Sequence, residues 1–219
     1  MPARSRAVPE EQLGLERIVF FSDAVMAIAI TLLAIDIRVP QVDPSAAPQQ
    51  LVASLSAIRP HFLTFFISFI VIGIYWISHH RYFGYIKRYD TWLILLNFLF
   101  LFFIVCMPFL AGLLGQYVFV PIALILYTLA IAALGFSMAL IWWYASRHHR
   151  LIDADFSPET IRTINIRLFV APLMFLVAIP FAYVSSTAVI VVWWLSPFAV
   201  LLATRVWGRP PGSGRAGRA

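Results

Sequence analysis

Long apolar runs alternate with short polar stretches along this chain, and the runs predict its helices. A helix needs roughly 20 apolar residues to cross a bilayer, and six runs reach or approach that length: 18–37, 60–79, 91–113, 117–145, 164–183 and 187–206. The connection 40–56 is polar and rich in proline and alanine, which is typical of an exposed loop. The pattern predicts an all-α membrane protein with six transmembrane helices.

Composition narrows the class of protein. Of the 219 residues, 62% are hydrophobic and only 12% are charged, whereas a soluble domain is nearer half apolar and a quarter charged. A water-soluble globular domain is therefore excluded. The single cysteine, Cys106, excludes an intrachain disulfide and a cysteine-based metal cluster within one chain.

Positive charges are distributed unequally between the two sides of the predicted bundle. When the six spans are threaded back and forth, 14 of the 16 basic residues fall on one side, and only Arg38 and Arg59 fall on the other. Cytoplasmic loops carry the excess of lysine and arginine, so both termini are expected in the cytoplasm. Within one of these loops, Ser157, Pro158 and Glu159 form a helix start.

The first apolar segment, RIVFFSDAVMAIAITLLAIDI over residues 17–37, carries ionisable groups at both ends. Arg17, Ser22 and Asp23 lie near its start and Asp36 lies near its end. A charged group in or beside a membrane span costs free energy, so each charged residue here predicts a functional site and a partner side chain for its charge. Asp36 is open to two interpretations, a cation attractor at an outer mouth or an ion pair with Arg38.

The same segment has an aliphatic stripe. At about 100° per residue, Ile28, Leu32 and Ile35 share one side with Thr31 at its flank, and Asp23 points nearly the other way. Such a stripe either packs against neighbouring helices or lines a pore, where hydrophobic rings gate by excluding water.

Asp23 and the histidines also allow two interpretations each. Asp23 could belong to a proton relay or to a structural polar network, in which a buried carboxylate is neutralised and hydrogen-bonded. Partners at the same depth would be Trp76, His79 and His80. A histidine-metal enzyme would need further histidines and carboxylates at fitting spacings, and beside the His79-His80 and His148-His149 pairs the sequence has only His61. No metal, cofactor or enzymatic activity is predicted.

Two motifs together resemble a known family. One motif is Arg17-Ile-Val-Phe-Phe21-Ser22-Asp23, which is followed by AIAITLL, and the other is YWISHHRYF at the end of the second span. They resemble the bacterial members of the transmembrane protein 175 family, relatives of the lysosomal potassium channel. The resemblance covers nearly the whole chain through its six-span length.

The resemblance implies a homotetrameric, potassium-permeable cation channel whose first helices line a central pore without a carbonyl filter. It implies a hydrophobic constriction at Ile28, further rings at Leu32 and Ile35, and a polar layer at Thr31. It also implies a structural network that holds the first helix; its members are Arg17, Phe21, Ser22, Asp23, Trp76 and either His79 or His80.

The expected organisation follows from these points. Residues 1–16 form a cytoplasmic N-terminal segment, 17–207 the channel domain, and 208–219 a disordered basic tail. The protein is expected to be a multi-pass protein of the bacterial cell membrane that contacts lipids, potassium ions and copies of itself, but not nucleic acid. The alternative function is a proton-permeable channel or proton-coupled transporter that uses Asp23 and His79 or His80.

Overall fold

The computed structural model describes residues 10–35, 37–40 and 48–207. Within these ranges the chain forms helices and connections, with no strand. The helices are α1 (Glu10–Leu32), α2 (Pro48–Ala57), α3 (Arg59–Phe83), α4 (Thr91–Gln116), α5 (Pro121–Ser146), α6 (Pro158–Ala178) and α7 (Ser186–Trp207), and short 3-10 turns at Arg147–His149 and Ile179–Tyr183 extend α5 and α6. The predicted all-helical fold is confirmed.

Five helices, α3 to α7, are long and apolar enough to cross a membrane. They correspond to five of the six predicted spans. In the described ranges α1 is not one of them, because it ends at Leu32 and its last 18 residues still include the charged side chains Glu16, Arg17 and Asp23.

The connection 40–56 was expected to be an exposed loop, and this expectation is wrong for its second half. Residues 48–57 form α2, which begins with a proline and continues with glutamine, leucine and alanine. Proline is well tolerated at the first helical position, and the residues that follow are good helix formers. No residue of α2 is buried, so the segment is exposed as predicted, although it is helical.

Helix α5 forms the centre of the described bundle. It packs against α4 on one side and α6 on the other, while α7 packs on α6 and α1 packs on α4 and α3. The largest buried side chains include Tyr127, Leu134, Met138 and Trp142 of α5. Helix α1 is therefore at the edge of the protomer, with contacts on one side.

The connections that follow α3 and α5 meet at one end of the bundle. Ile86 pairs with Ile152, and the Lys87 amide donates to the Leu151 carbonyl at 2.8 Å. The hydroxyl end of the Tyr89 ring lies against Gly14 of α1, so a larger side chain at this position would require Tyr89 to move. We call this the basic end, because it gathers the following described residues: Arg17, Arg81, Lys87, Arg88, Arg147, Arg150, Arg162, Arg167 and Arg205.

Asp90 ties the start of α4 to the end of α5 at the basic end. Its carboxylate caps α4 by accepting from the Leu93 amide at 2.9 Å and accepts from the Tyr144 hydroxyl at 2.6 Å, with Arg150 at 3.6 Å. Burial would raise the pKa of the Asp90 carboxyl, but these hydrogen bonds and the arginine charge outweigh it and lower the pKa below its ordinary value.

Candidate functional site

The two sides of α1 have different surroundings. Ser22, Met26, Ala29 and Leu33 are buried, and their spacing of four, three and four residues puts them on one side of the helix. This side packs against α3 and α4.

A buried hydrogen-bonded chain joins α1, α4 and α3. The Asn97 amide nitrogen donates to the Ser22 hydroxyl oxygen at 2.8 Å, and the Asn97 carbonyl oxygen lies 3.0 Å from His79 Nε2. The Ser22 hydroxyl in turn donates to the Ile18 carbonyl at 2.8 Å. Ser22, Asn97 and His79 are all buried, and we call them the polar anchor of α1.

Aromatic rings enclose the histidine of the polar anchor. The His79 ring stacks on Phe83 at 4.0 Å and on Phe100 at 5.5 Å between centroids. Its Nε2 faces Asn97, while its Nδ1 is buried without a partner among the described residues. Because Asn97 Oδ1 can only accept, Nε2 carries a proton, and the ring is favoured in its neutral form because a second proton on the buried Nδ1 would have no acceptor.

A second contact between α3 and α1 lies nearer the surface. The indole nitrogen of Trp76 donates to Asp23 Oδ1 at 2.9 Å. The indole also stacks on His80, with centroids 6.0 Å apart. The two neighbouring histidines therefore have different surroundings: His79 is buried in the polar anchor, and His80 is exposed beside the Trp76–Asp23 contact.

The other two predicted members of the network lie on the periphery. Phe21 is half-exposed and packs its ring against Phe98 of α4 at 5.6 Å. Arg17 is exposed one to two turns before Ser22, and no hydrogen bond joins it to the polar anchor or to Asp23 in the described part of the chain.

The residues predicted to line a pore lie on the exposed side of α1. Ile28, Leu32 and Ile35 are 58%, 41% and 70% exposed in the protomer. Thr31 is also exposed, and its hydroxyl donates to the Ile28 carbonyl at 2.8 Å. The stripe is thus not used to pack α1 within its own chain.

A groove of about 510 Å³ separates the end of α1 from α4. Its walls include Leu32 and Ile35 on one side and Val105, Pro108 and Phe109 on the other. Asp36, the predicted outer-mouth acid, lies outside the described residues, as does the predicted tail 208–219.

Sequence reasoning missed Asn97. Its signal was available, because Asn97 is the one amide side chain inside the apolar run 92–115 of α4, and polar groups within a span mark a partner or a function. Among the described residues, no group of three or more histidine, cysteine, aspartate or glutamate side chains could hold a metal ion.

Comparison with known proteins places these features in a family. The family model of the endosomal/lysosomal potassium channel TMEM175 matches residues 17–108, which include α1 from Arg17 onward, α3 and the polar anchor. A potassium channel of Streptomyces collinus is 34% identical over 78% of this chain and 83% of its own, and one of Chamaesiphon minutus is 33% identical over 80% and 87%.

A human relative and a solved structure extend the comparison. The human endosomal/lysosomal proton channel TMEM175 is 41% identical over 45% of this chain, a match that spans a fifth of the human protein. The crystal structure of a lysosomal potassium-selective channel TMEM175 homolog from Chamaesiphon minutus aligns with a TM-score of 0.73 at 29% identity, covering 87% of this chain and 98% of that one. These relatives are ion channels and not enzymes. On this extent of similarity, the chain belongs to the TMEM175 family of membrane ion channels.

Proposed function

We propose that the protein is a potassium-permeable cation channel in which α1 lines the pore. Ile28, Leu32 and Ile35 form successive hydrophobic rings, and Thr31 adds a polar layer between them. The observation that carries this proposal is the exposed aliphatic stripe on a helix whose opposite side is firmly packed. Rings of this kind gate by excluding water from a narrow pore.

The proposed pore requires several subunits. Each chain contributes one α1 at its edge, so a pore lined by α1 needs closed symmetry among copies, and we propose a homotetramer. The groove between α1 and α4 offers room for a neighbouring subunit, and it continues into an exposed apolar part of α4 formed by Phe102, Val105 and Phe109. Cross-linking or native mass spectrometry of the purified protein measures the subunit number.

The orientation in the membrane follows from the basic end. Of the basic residues in the described ranges, those at the opposite end are Arg38 and Arg59, so the positive-inside rule puts the basic end in the cytoplasm. With α1 as a sixth span, both termini are cytoplasmic and Asp36 is at the outer mouth of the pore. We propose the cell membrane as the location.

The polar anchor and the Trp76–Asp23 contact hold α1 in position in this proposal. A pore helix that lies at the edge of its subunit needs contacts that fix both its rotation and its depth. Two hydrogen-bonded contacts, to α4 at Ser22 and to α3 at Asp23, fix both. Beyond the permeant potassium ions, the proposal includes no cofactor.

A proton-conducting function has one observation in its favour, since the human relative is named a proton channel. A relay from Asp23 to His79 finds less support. Trp76 is the hydrogen-bond partner of Asp23, and His79 is linked to Asn97. The chain from His79 runs through the Asn97 amide, which does not readily exchange protons, and it reaches Ser22 and not Asp23 among the described residues.

The test of the channel proposal is potassium flux into liposomes under a potassium gradient, without valinomycin. Purified wild type is compared with Ile28→Asn, and the matched control is Ile122→Asn on α5. Both isoleucines are 58% exposed in the protomer, so the two changes introduce the same amide into equally exposed positions.

We expect wild-type leak to rise at least several-fold in Ile28→Asn, because an amide allows water to enter the constriction, and to stay unchanged in Ile122→Asn. Equal flux from all three proteins would contradict a gate at Ile28. No flux from any folded oligomer, together with pH-driven proton uptake, would instead favour the proton-coupled alternative.

A further inference from the structure

A second cavity opens at the basic end between the end of α3 and the start of α6. It has a volume of about 380 Å³, within the range of roughly 300–1,000 Å³ that small-molecule sites occupy. We call it the interface groove, and its polar lining includes Arg81, Tyr82, Glu159, Thr160, Thr163 and Arg167. None of these residues belongs to the polar anchor or to the proposed pore.

The interface groove is positively charged. Arg81 and Arg167 come from different helices, α3 and α6, and both are exposed and line the groove. Glu159 lines the same groove, but within the described ranges it forms an ion pair with neither arginine. Two guanidinium groups against one carboxylate leave a net positive site.

Hydroxyl groups complete the polar lining. Tyr82 is only 8% exposed, and its hydroxyl makes no hydrogen bond to another described residue. Thr160 and Thr163 lie in the first turns of α6, one turn apart and on the side that faces the groove. Guanidinium and hydroxyl donors together suit phosphate oxygens.

The surface below the interface groove is apolar on both helices. On α3, Ile74 and Ile70 lie about two and three turns before Arg81 on the same side and are exposed. On α6, Ala171 and Met174 lie one and two turns after Arg167 on its side and are partly buried. Both pairs run from the basic end into the membrane-spanning part of the bundle.

We propose that the interface groove binds the headgroup of an anionic phospholipid. The phosphodiester lies between Arg81 and Arg167, accepts hydrogen bonds from the hydroxyl groups, and leaves its acyl chains along the apolar surface below. Charge complementarity favours an anionic lipid over a neutral or zwitterionic one, and the position at the boundary of the apolar spans favours a lipid over a soluble phosphate. The proposal does not depend on conduction.

The test is titration of the purified full-length protein in detergent with phosphatidylglycerol, phosphatidylcholine or inorganic phosphate, with bound lipid counted by native mass spectrometry. Arg81→Gln and Arg167→Gln each remove one groove charge. Arg162→Gln is the matched control, because Arg162 is an exposed arginine of α6 that does not line the groove. Tyr82→Phe removes only a hydroxyl and serves as a second groove variant.

We expect phosphatidylglycerol to bind in preference to phosphatidylcholine. Each arginine variant should weaken that binding about fivefold, the usual contribution of one basic side chain at an anionic surface, and Tyr82→Phe should weaken it in the same direction. Arg162→Gln should bind as wild type does. Equal weakening by Arg162→Gln, or equal binding of both lipids, would overturn the proposal. Displacement of phosphatidylglycerol by inorganic phosphate would overturn the lipid assignment in favour of a soluble phosphate.

Discussion

The two sides of α1 contrast in polarity and in burial. The packed side begins with a serine hydroxyl that is completely buried and hydrogen-bonded to Asn97, whereas the exposed side presents Ile28, Leu32 and Ile35. In a soluble protein the aliphatic residues would be inside. In a membrane protein lipid does not drive apolar groups inward, so a polar contact can fix a helix while its aliphatic side remains available for a pore.

Shortening one side chain on each side of α1 should separate its packing role from its proposed pore-lining role, and it should give the largest expected change in stability. Met26 is fully buried and Leu32 is substantially exposed. Met26→Ala should lower the free energy of unfolding by about 3 kcal/mol, since it leaves a cavity. Leu32→Ala should change the free energy of unfolding by less than about 0.5 kcal/mol and raise potassium flux. Chemical unfolding in detergent and liposome flux measure the two effects, and equal destabilisation by both changes would remove the distinction between the sides.

Removal of the bridging amide should give the next largest effect. Asn97→Leu leaves His79 Nε2 buried without a partner, which should cost about 2 kcal/mol of unfolding free energy. Gln116→Leu, an exposed amide on the same helix, is the control and should be neutral. In the double variant with His79→Leu, part of the loss should be recovered, because both partners are then apolar. Wild-type stability of Asn97→Leu would mean that the polar anchor does not hold α1.

The surface contact to Asp23 should contribute less than the buried one. Trp76→Phe removes the indole donor and keeps an aromatic ring beside His80, so we expect a loss of about 1 kcal/mol in thermal unfolding measurements. Trp92→Phe, at an exposed tryptophan of α4, provides the comparison. A loss greater than that of Asn97→Leu would reverse the ranking of the two contacts.

Acid should produce the smallest effect, and it should act at the basic end. The folded pKa of Asp90 lies below the ordinary value of 3.8, so its stabilising contribution is complete above that value and disappears as pH falls through the folded pKa. The loss should stay under about 1 kcal/mol, since the carboxylate is partly exposed. Asp90→Asn should remove this part of the acid dependence in unfolding curves recorded between pH 5 and pH 2; an unchanged dependence would assign it to other groups.

The sequence alone determined the class of fold, the approximate spans and the grouping of the basic residues. Span length and charge are read directly along the chain, so the ranges 60–79 and 91–113 agree with α3 and α4 apart from a few residues at their ends, and Ser157 caps α6 as predicted. The helix in 48–57 was missed, because a polar, proline-containing stretch resembles a loop when the helix propensities of its residues are not added together.

Only the tertiary structure decided which side chains meet. His79 and His80 are equivalent in sequence, and the rotation of α3 against α4 buries the first beside Asn97 and leaves the second exposed. In the same way, the rotation of α1 about its own axis decided that Ser22 faces its neighbouring helices and Ile28 faces outward. Helical periodicity specifies which residues share a side, whereas the side that becomes buried depends on the neighbouring helices, whose arrangement the linear pattern does not contain.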